Sequence, residues 1–325
     1  MKNKNFIYWK VFLALSVVIL INAVSIPLSA QVWTELKTSI RARAISANTP
    51  GRTMIVERST YYYTDGDIHS IDNNGYITRW GKPYPGFQAR SIATDKDGFV
   101  WVVNEQGTEA WFGMINRRVG LRWFKFIDQN MSWMRGLSIK EVRAGFGCEC
   151  HEYDYYQKKQ VVFLVTNNYA EWFVLAEEDM IGWAIGYPRN WMEKTTAFAL
   201  SRVDDFRINQ IRVNWFIENN KTIYTYSASQ NGPRVIEAMD GLPSGRSYQD
   251  IAVQPNSIEN QNDTRIKTVL ITRNNSLYGG SIYKYNIQSR RWELRSGLAI
   301  KAAVDRNGRV WVINNEGKIF FSDSF

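Results

Sequence analysis

The chain has 325 residues, 45% of them hydrophobic, 14% aromatic and 22% charged, which excludes a disordered or fibrous protein and supplies enough apolar material for one large core. Its formal charge of +9 is scattered, with short doublets such as Arg117-Arg118 and Arg290-Arg291, and it forms no Lys/Arg stripe of the kind that nucleic-acid binding needs. The two cysteines, Cys148 and Cys150, exclude a disulfide framework.

At the N-terminus, Lys2, Lys4 and Lys10 stand without an acid, Val11 to Ile21 is apolar, and Pro27-Leu28-Ser29-Ala30 ends on a small residue. This pattern predicts a signal peptide over residues 1–30, cut before Gln31. Polar Asn22 interrupts the apolar run and argues against a retained anchor. The remainder, 31–325, is expected outside the cell, or in the periplasm if bacterial, without integral membrane association. Loss of the three lysines lowers its charge from +9 to +6.

From residue 31 onward the apolar period is two, and Tyr, Trp, Val and Ile dominate, so the chain is expected to be all-β. One cassette recurs six times. Aligning His69, Trp101, Phe163, Trp215, Val269 and Trp311 places a β-branched residue two positions on in every copy: Ile71, Val103, Val165, Ile217, Ile271 and Ile313. A turn rich in Asn and Gly follows, as in Asn73-Asn74-Gly75, Asn167-Asn168 and Glu316-Gly317, residue types that tolerate tight hairpins. Upstream of each copy lies a strand of smaller residues, at Ala42 to Ala47, Arg90 to Thr94, Leu137 to Val142, Thr196 to Leu200, Asp250 to Val253 and Ile300 to Val304. Earlier still, Trp33, Trp123, Trp191 and Trp292 open an outer strand in several copies.

Four-stranded units that repeat in this way cannot bury both faces alone and must pack on one another. The sequence therefore predicts a six-bladed β-propeller of four-stranded antiparallel blades, one domain over 31–325. Its blades are read at 31–80, 81–113, 114–173, 174–226, 227–286 and 287–325. Two insertions, Cys148 to Gln160 and Gln254 to Lys267, fall in loops.

The segments Ala89 to Gly107 and Trp292 to Phe320, with a small-residue strand, Gly98 or Gly308 shortly before Val-Trp, and Asn104 or Asn314 before the next turn, resemble tectonin repeats. Blades three to five depart from the pattern, with Phe163 and Val269 in place of Trp. The resemblance implies a propeller of six or seven blades and a secreted lectin of innate defence or cell-surface recognition. The spacing Asp-x-Asp-Gly-x-x-Trp is also similar to that of sensor propellers in bacterial two-component regulators.

No catalytic constellation is legible. His69 and His151 are unrelated, no Gly-x-Ser-x-Gly elbow occurs, and Asp204-Asp205 and Glu177-Glu178-Asp179 read as solvated loop charges. The expectation is a protein that is not an enzyme and has no cofactor. Cys148-Glu149-Cys150-His151 is half a metal site without a second half. Asp65-Gly66-Asp67, Asp95-Lys96-Asp97-Gly98 and Asp305-Arg306-Asn307-Gly308 open like calcium loops but lack the distant Glu, and read as turns.

Sugar recognition needs flat aromatic faces and side-chain amides or carboxylates, and this chain is rich in both. The ligand-binding candidates are Asp72, Asn73, Asn104, Gln106, Asn167, Asn314 and Asn315, expected to ring one face of the propeller. The expected partners are glycans or glycoconjugates. The alternative is a secreted scaffold or sensor domain with a protein partner.

Overall fold

The computed structural model describes residues 32–49, 51–61, 63–94, 98–116, 120–128, 138–147, 159–166, 170–175, 195–200, 214–218, 222–229, 232–238, 247–255, 267–273, 277–286, 288–289 and 291–325. Residues 1–30, expected as a signal peptide, lie outside them, as do residues 148–158 of the loop expected over Cys148 to Gln160; Lys159 and Gln160 belong instead to a strand. Trp33–Phe325 forms one compact unit, and no helix among the described residues is long and apolar enough to cross a membrane.

The period-two segments are strands. A short first strand, β1 (Thr34–Glu35), precedes the sheets. Sheet one is β2 to β5 (Ala42–Ser46, Arg52–Glu57, Ile68–Asp72, Ile77–Gly81), and sheet two is β6 to β9 (Ala89–Thr94, Phe99–Asn104, Glu109–Asn116, Gly120–Asp128). Sheet three is β10 to β12 (Ile139–Gly147, Lys159–Thr166, Ala170–Leu175), and sheet four is β13 to β16 (Thr195–Leu200, Asn214–Glu218, Thr222–Ser229, Gly232–Ala238). Sheet five is β17 to β20 (Ser247–Val253, Thr268–Arg273, Gly280–Asn286, Arg291–Ala299), and sheet six is β21 to β23 (Lys301–Val304, Val310–Ile313, Ile319–Ser322). All are antiparallel, and β1 supplies the fourth strand of sheet six by pairing with β23.

The first strands of the sheets neighbour one another in the order β2, β6, β10, β13, β17, β21 and back to β2. Close approach there requires little side-chain bulk, and Ala42, Ala44, Ala89, Ala93, Ala302 and Ala303 are all buried. Side chains stitch the neighbours: Thr94 N donates to Ser46 Oγ at 2.9 Å, Val142 N to Ser91 Oγ at 3.1 Å, and Ala302 N to Asp250 Oδ2 at 2.8 Å.

Between the sheets lies apolar packing. Sheets one and two share a cluster around Met54, Ile68, Phe87 and Val100, and sheets one and six share one around Ile55, Ile71, Trp311 and Ile313. Trp101 and Trp311 are buried, as expected for packing side chains worth roughly 1.5–3 kcal/mol or more each. Among the described residues the indole N–H of each has no hydrogen-bond partner, which offsets part of that gain. Between sheets five and six, Trp33 Nε1, just ahead of β1, donates to Ser296 O of β20 at 2.7 Å.

One irregularity recurs. Five first strands carry a register shift against their second strands at the same point, leaving Arg43, Arg90, Lys140, Thr196 and Gln249 as the extra residues. A bulge of this kind takes one residue out of the ladder and re-aims it.

Two expectations are corrected. His69 is not the counterpart of Trp101: it lies on β4, a third strand, whereas Trp101 lies on β7, a second strand paired with Ala93. Ser46 pairs with Met54, so Met54 holds the equivalent position. Without a Trp, β3 carries no mark of the cassette. The outer strands opened by Trp also belong to the preceding sheet, not the following one. β1 pairs with β23, Trp123 lies on β9 paired with β8, and Trp292 lies on β20 paired with β19, so each sheet boundary moves by one strand. Trp191 lies outside the described residues.

Candidate functional site

A meander of this order sends its second-to-third turns and its connections between sheets to one rim, here the upper, and its remaining turns to the lower. Asn104, Gln106, Asn314 and Asn315 lie in second-to-third turns and share the upper rim. Asp72 and Asn73 join the third and fourth strands of sheet one and lie on the lower rim. The cause is the displaced alignment of His69. Asn167 lies outside the described residues.

The Asx residues build their own turns. Asn314 Oδ1 accepts from Glu316 N at 3.1 Å and Lys318 N at 2.9 Å. Asn104 Oδ1 accepts from Thr108 N at 2.8 Å. The lower rim repeats the device, with Asp72 Oδ1 accepting from Asn74 N at 2.8 Å and Asp305 Oδ1 from Asn307 N at 2.9 Å. In all four turns a glycine three residues on donates back to the Asx carbonyl: Gly75, Gly107, Gly308 and Gly317. The segment that opens like a calcium loop at Asp305 is thus the same turn.

Side chains that the sequence did not single out distinguish the upper rim. Tyr61 and Tyr63, in the β3–β4 connection, are 76% and 84% exposed, and Leu277 and Tyr278, in the β18–β19 turn, are 80% and 51% exposed. Asn315 ties the two together. Its side-chain Nδ2 donates to Leu277 O at 2.8 Å, its backbone N to Tyr278 O at 3.0 Å, and its carbonyl accepts from Arg58 Nη1 at 3.1 Å. Gln106 is exposed, and its carbonyl accepts from Ser138 Oγ at 3.0 Å. The run Tyr61-Tyr62-Tyr63 is the sequence signal that could have found this surface.

Below that rim the centre holds four charges. Arg143 Nη2 donates to Glu141 Oε1 at 2.7 Å and to Asp250 Oδ1 at 2.6 Å, and Lys301 Nζ donates to Glu141 Oε1 at 2.8 Å. They come from sheets three, five and six, with Asp250 fully buried. Glu141, Asp250 and Lys301 occupy the register of Ala44 and Ser91 in their own strands, and Arg143 that of Ala93. Small residues on the other first strands leave room for them. Burial works against ionisation of Glu141, but Arg143 and Lys301 outweigh it and hold the carboxyl below its ordinary range. Burial likewise works against the Lys301 charge, and Asp250 and Glu141 outweigh it, holding the ammonium above its ordinary range.

A second polar cluster lies in sheet one, where Glu57, Asp67 and His69 each bring one ligand atom to within 4.8 Å of the others. His69 Nε2 lies 2.8 Å from Glu57 Oε2, and Asp67 Oδ2 accepts from Arg79 Nε at 2.6 Å. Lys82 Nζ stands 3.8 Å from the other Asp67 oxygen. With two cations on Asp67, the donor set suits an ion-pair network better than a further cation.

No known family profile matches the chain, and no curated protein matches it in sequence, so the likeness to tectonin repeats rests on its own residues. Solved structures do match in fold. A catalytically inactive virginiamycin B lyase from Staphylococcus aureus with quinupristin aligns at TM-score 0.52 and 12% identity, covering 89% of this chain and 98% of that one. The Cps50 (Swd1) β-propeller domain of Myceliophteria thermophila aligns at TM-score 0.53 and 10% identity, covering 90% and 100%. The SapL1 lectin in complex with alpha methyl fucoside aligns at TM-score 0.51 and 11% identity, covering 85% and 90%. At such identities the likeness establishes the fold, a β-propeller, and nothing finer.

Proposed function

We propose that this chain is a secreted, six-bladed, tectonin-like propeller that binds cell-surface or microbial glycans on its upper rim, without catalysis and without a cofactor. The observation that carries the reading is the exposed set Tyr61, Tyr63, Leu277 and Tyr278 on two connections of the upper rim that Asn315 links, through Arg58 to one and through the Leu277 and Tyr278 carbonyls to the other. Flat phenol faces cover the apolar face of a sugar while amides bond its hydroxyls, at low conformational cost. The fold likeness to a fucoside-binding lectin is compatible with this use. Signal-peptide cleavage before Gln31 would place the protein where surface glycans are.

A glycan array tests the reading. Binding above background that free sugar competes away is the expected result, and silence across microbial and host glycans would remove it. A protein-binding scaffold is the second reading, favoured by the same exposed tyrosines beside Arg58, since Tyr and Arg are enriched in protein interfaces. It predicts a partner in pull-downs that sugars do not displace.

A further inference from the structure

Among the described residues, the upper rim carries cations that make no salt bridge to a carboxylate, although Arg41 acts at longer range on the Glu316 carboxylate of its turn. Arg43 is paired with Asp65 and, at 3.0 Å, with Glu105, while Arg79 and Lys82 answer Asp67. Exposed Arg273 ends β18, and at the junctions between sheets Arg41, Arg58, Arg90 and Lys140 remain. Three of them bond to carbonyl oxygens: Arg41 Nη1 to Thr38 O at 3.3 Å, Arg58 Nη1 to Asn315 O at 3.1 Å, and Arg90 Nη1 to Glu105 O at 3.3 Å. Lys140 is exposed, with no acidic partner among the described residues. A carbonyl orients a guanidinium without cancelling its charge.

These cations fall in two pairs, one at each of two equivalent turns. Arg58 bonds Asn315 in the Asn314–Gly317 turn, and Arg41 precedes Ala42, whose N donates to Gly317 O at 2.8 Å. Arg90 bonds Glu105 in the Asn104–Gly107 turn, and Lys140 follows Ile139, whose N donates to Gly107 O at 2.8 Å. Arg90 and Lys140 are also bulged residues of their first strands, at the upper ends where the bulge takes them out of the ladder. On the lower rim Arg309 is spent on Asp323 at 2.6 Å, while Arg306 is exposed.

We propose that the two pairs are anion subsites, so that the glycans taken by the upper rim carry carboxylate, sulfate or phosphate groups. The inference rests on the glycan reading above and adds the class of sugar. Two like subsites on one rim suit a polymer with repeated charges, which gains avidity from engaging both.

The test measures binding of the purified protein to heparin, polygalacturonate, phosphomannan and neutral mannan by biolayer interferometry, at about 50 and about 300 mM NaCl. At least one acidic polymer should bind about tenfold tighter than mannan and lose about tenfold at the higher salt. The sulfated, carboxylated and phosphorylated arms identify the anion. The double variant Arg90→Gln/Lys140→Gln should lose about tenfold on that polymer with an unchanged melting temperature, since Gln249 fills the same bulge in sheet five. Arg306→Gln, an exposed cation of the lower rim, should change nothing. Equal binding of neutral and acidic polymers, or an equal loss from Arg306→Gln, overturns the inference and leaves the glycan reading standing. Failure to bind any glycan defeats that reading, and the inference with it.

Discussion

The upper and lower rims are built from the same turn and differ in what surrounds it. Asn104 and Asn314 above, and Asp72 and Asp305 below, use the side-chain oxygen to accept backbone N–H groups of their own turn. An Asx residue in such a turn is engaged in folding on either rim, so richness in Asn marks no ligand site. The upper rim adds Tyr61, Tyr63 and Tyr278, guanidinium groups that bond carbonyl oxygens, and backbone bonds between sheets, as from Ala42 N to Gly317 O and from Ile139 N to Gly107 O. On the lower rim side chains do the joining, as in Gln254 Nε2 to Arg306 O at 3.0 Å.

The largest expected effect sets the scale for both rims. Arg143→Met leaves buried Glu141 and Asp250 to Lys301 alone, at 2.8 and 3.5 Å, and should cost about 3–5 kcal/mol in urea unfolding. The turn glycines then separate the rims. A Cβ at Gly107 would lie 2.4 Å from Ile139 O, whereas at Gly308 its nearest neighbour, the Gln254 side chain, is 3.4 Å away. Both residues have positive φ, so Gly308→Ala should cost about 1–2 kcal/mol. Gly107→Ala should cost more by at least about 1 kcal/mol, because the backbone of sheet three must move. Equal melting temperatures for the two variants would deny that the upper turns are the tighter junctions.

Smaller still, Asn314→Ala and Asp305→Ala should each lose about 1 kcal/mol, alike on the two rims, since each removes one cap of the same kind. A larger loss of ligand than of stability in Asn314→Ala would give that residue a contact role as well.

The charged centre adds a pH dependence that belongs to neither rim. Glu141 has a lowered folded pKa, so its stabilisation is complete above the ordinary carboxyl range and is lost as pH falls through the folded value. Lys301, raised in the folded state, contributes fully below the ordinary lysine range and loses its contribution as pH rises through its folded value. Glu141→Gln should therefore melt below the parent at neutral pH, with the gap closing in acid. A gap that stays constant from neutral pH to about pH 3 would contradict the assignment.

Much of this architecture could be read from the chain, and the misreadings share a cause. Small-residue first strands and the Val-Trp-Val and Val-Trp-Val-Ile second strands of sheets two and six were plain. β3, reading Arg52-Thr53-Met54-Ile55-Val56-Glu57, has no Trp and lies buried on both faces, so it shows neither cassette nor alternation. Its absence moved His69 one strand out of place and carried Asp72 and Asn73 to the wrong rim. The bulges leave no mark in sequence, because one extra residue in a ladder has no composition of its own. Glu141, Asp250 and Lys301 were in view within the predicted first strands. Aligning those strands by register would have exposed charges where Ala44 and Ser91 stand, but only structure gives the register.

The most direct test of the account is glycan binding by the parent, by Tyr61→Ala/Tyr63→Ala, and by Tyr76→Ala, a lower-rim tyrosine that is 73% exposed. The account predicts that the parent binds, that the upper-rim pair loses about tenfold or more, and that Tyr76→Ala binds as the parent does. Unchanged binding by the upper-rim pair, or a matching loss from Tyr76→Ala, would contradict it.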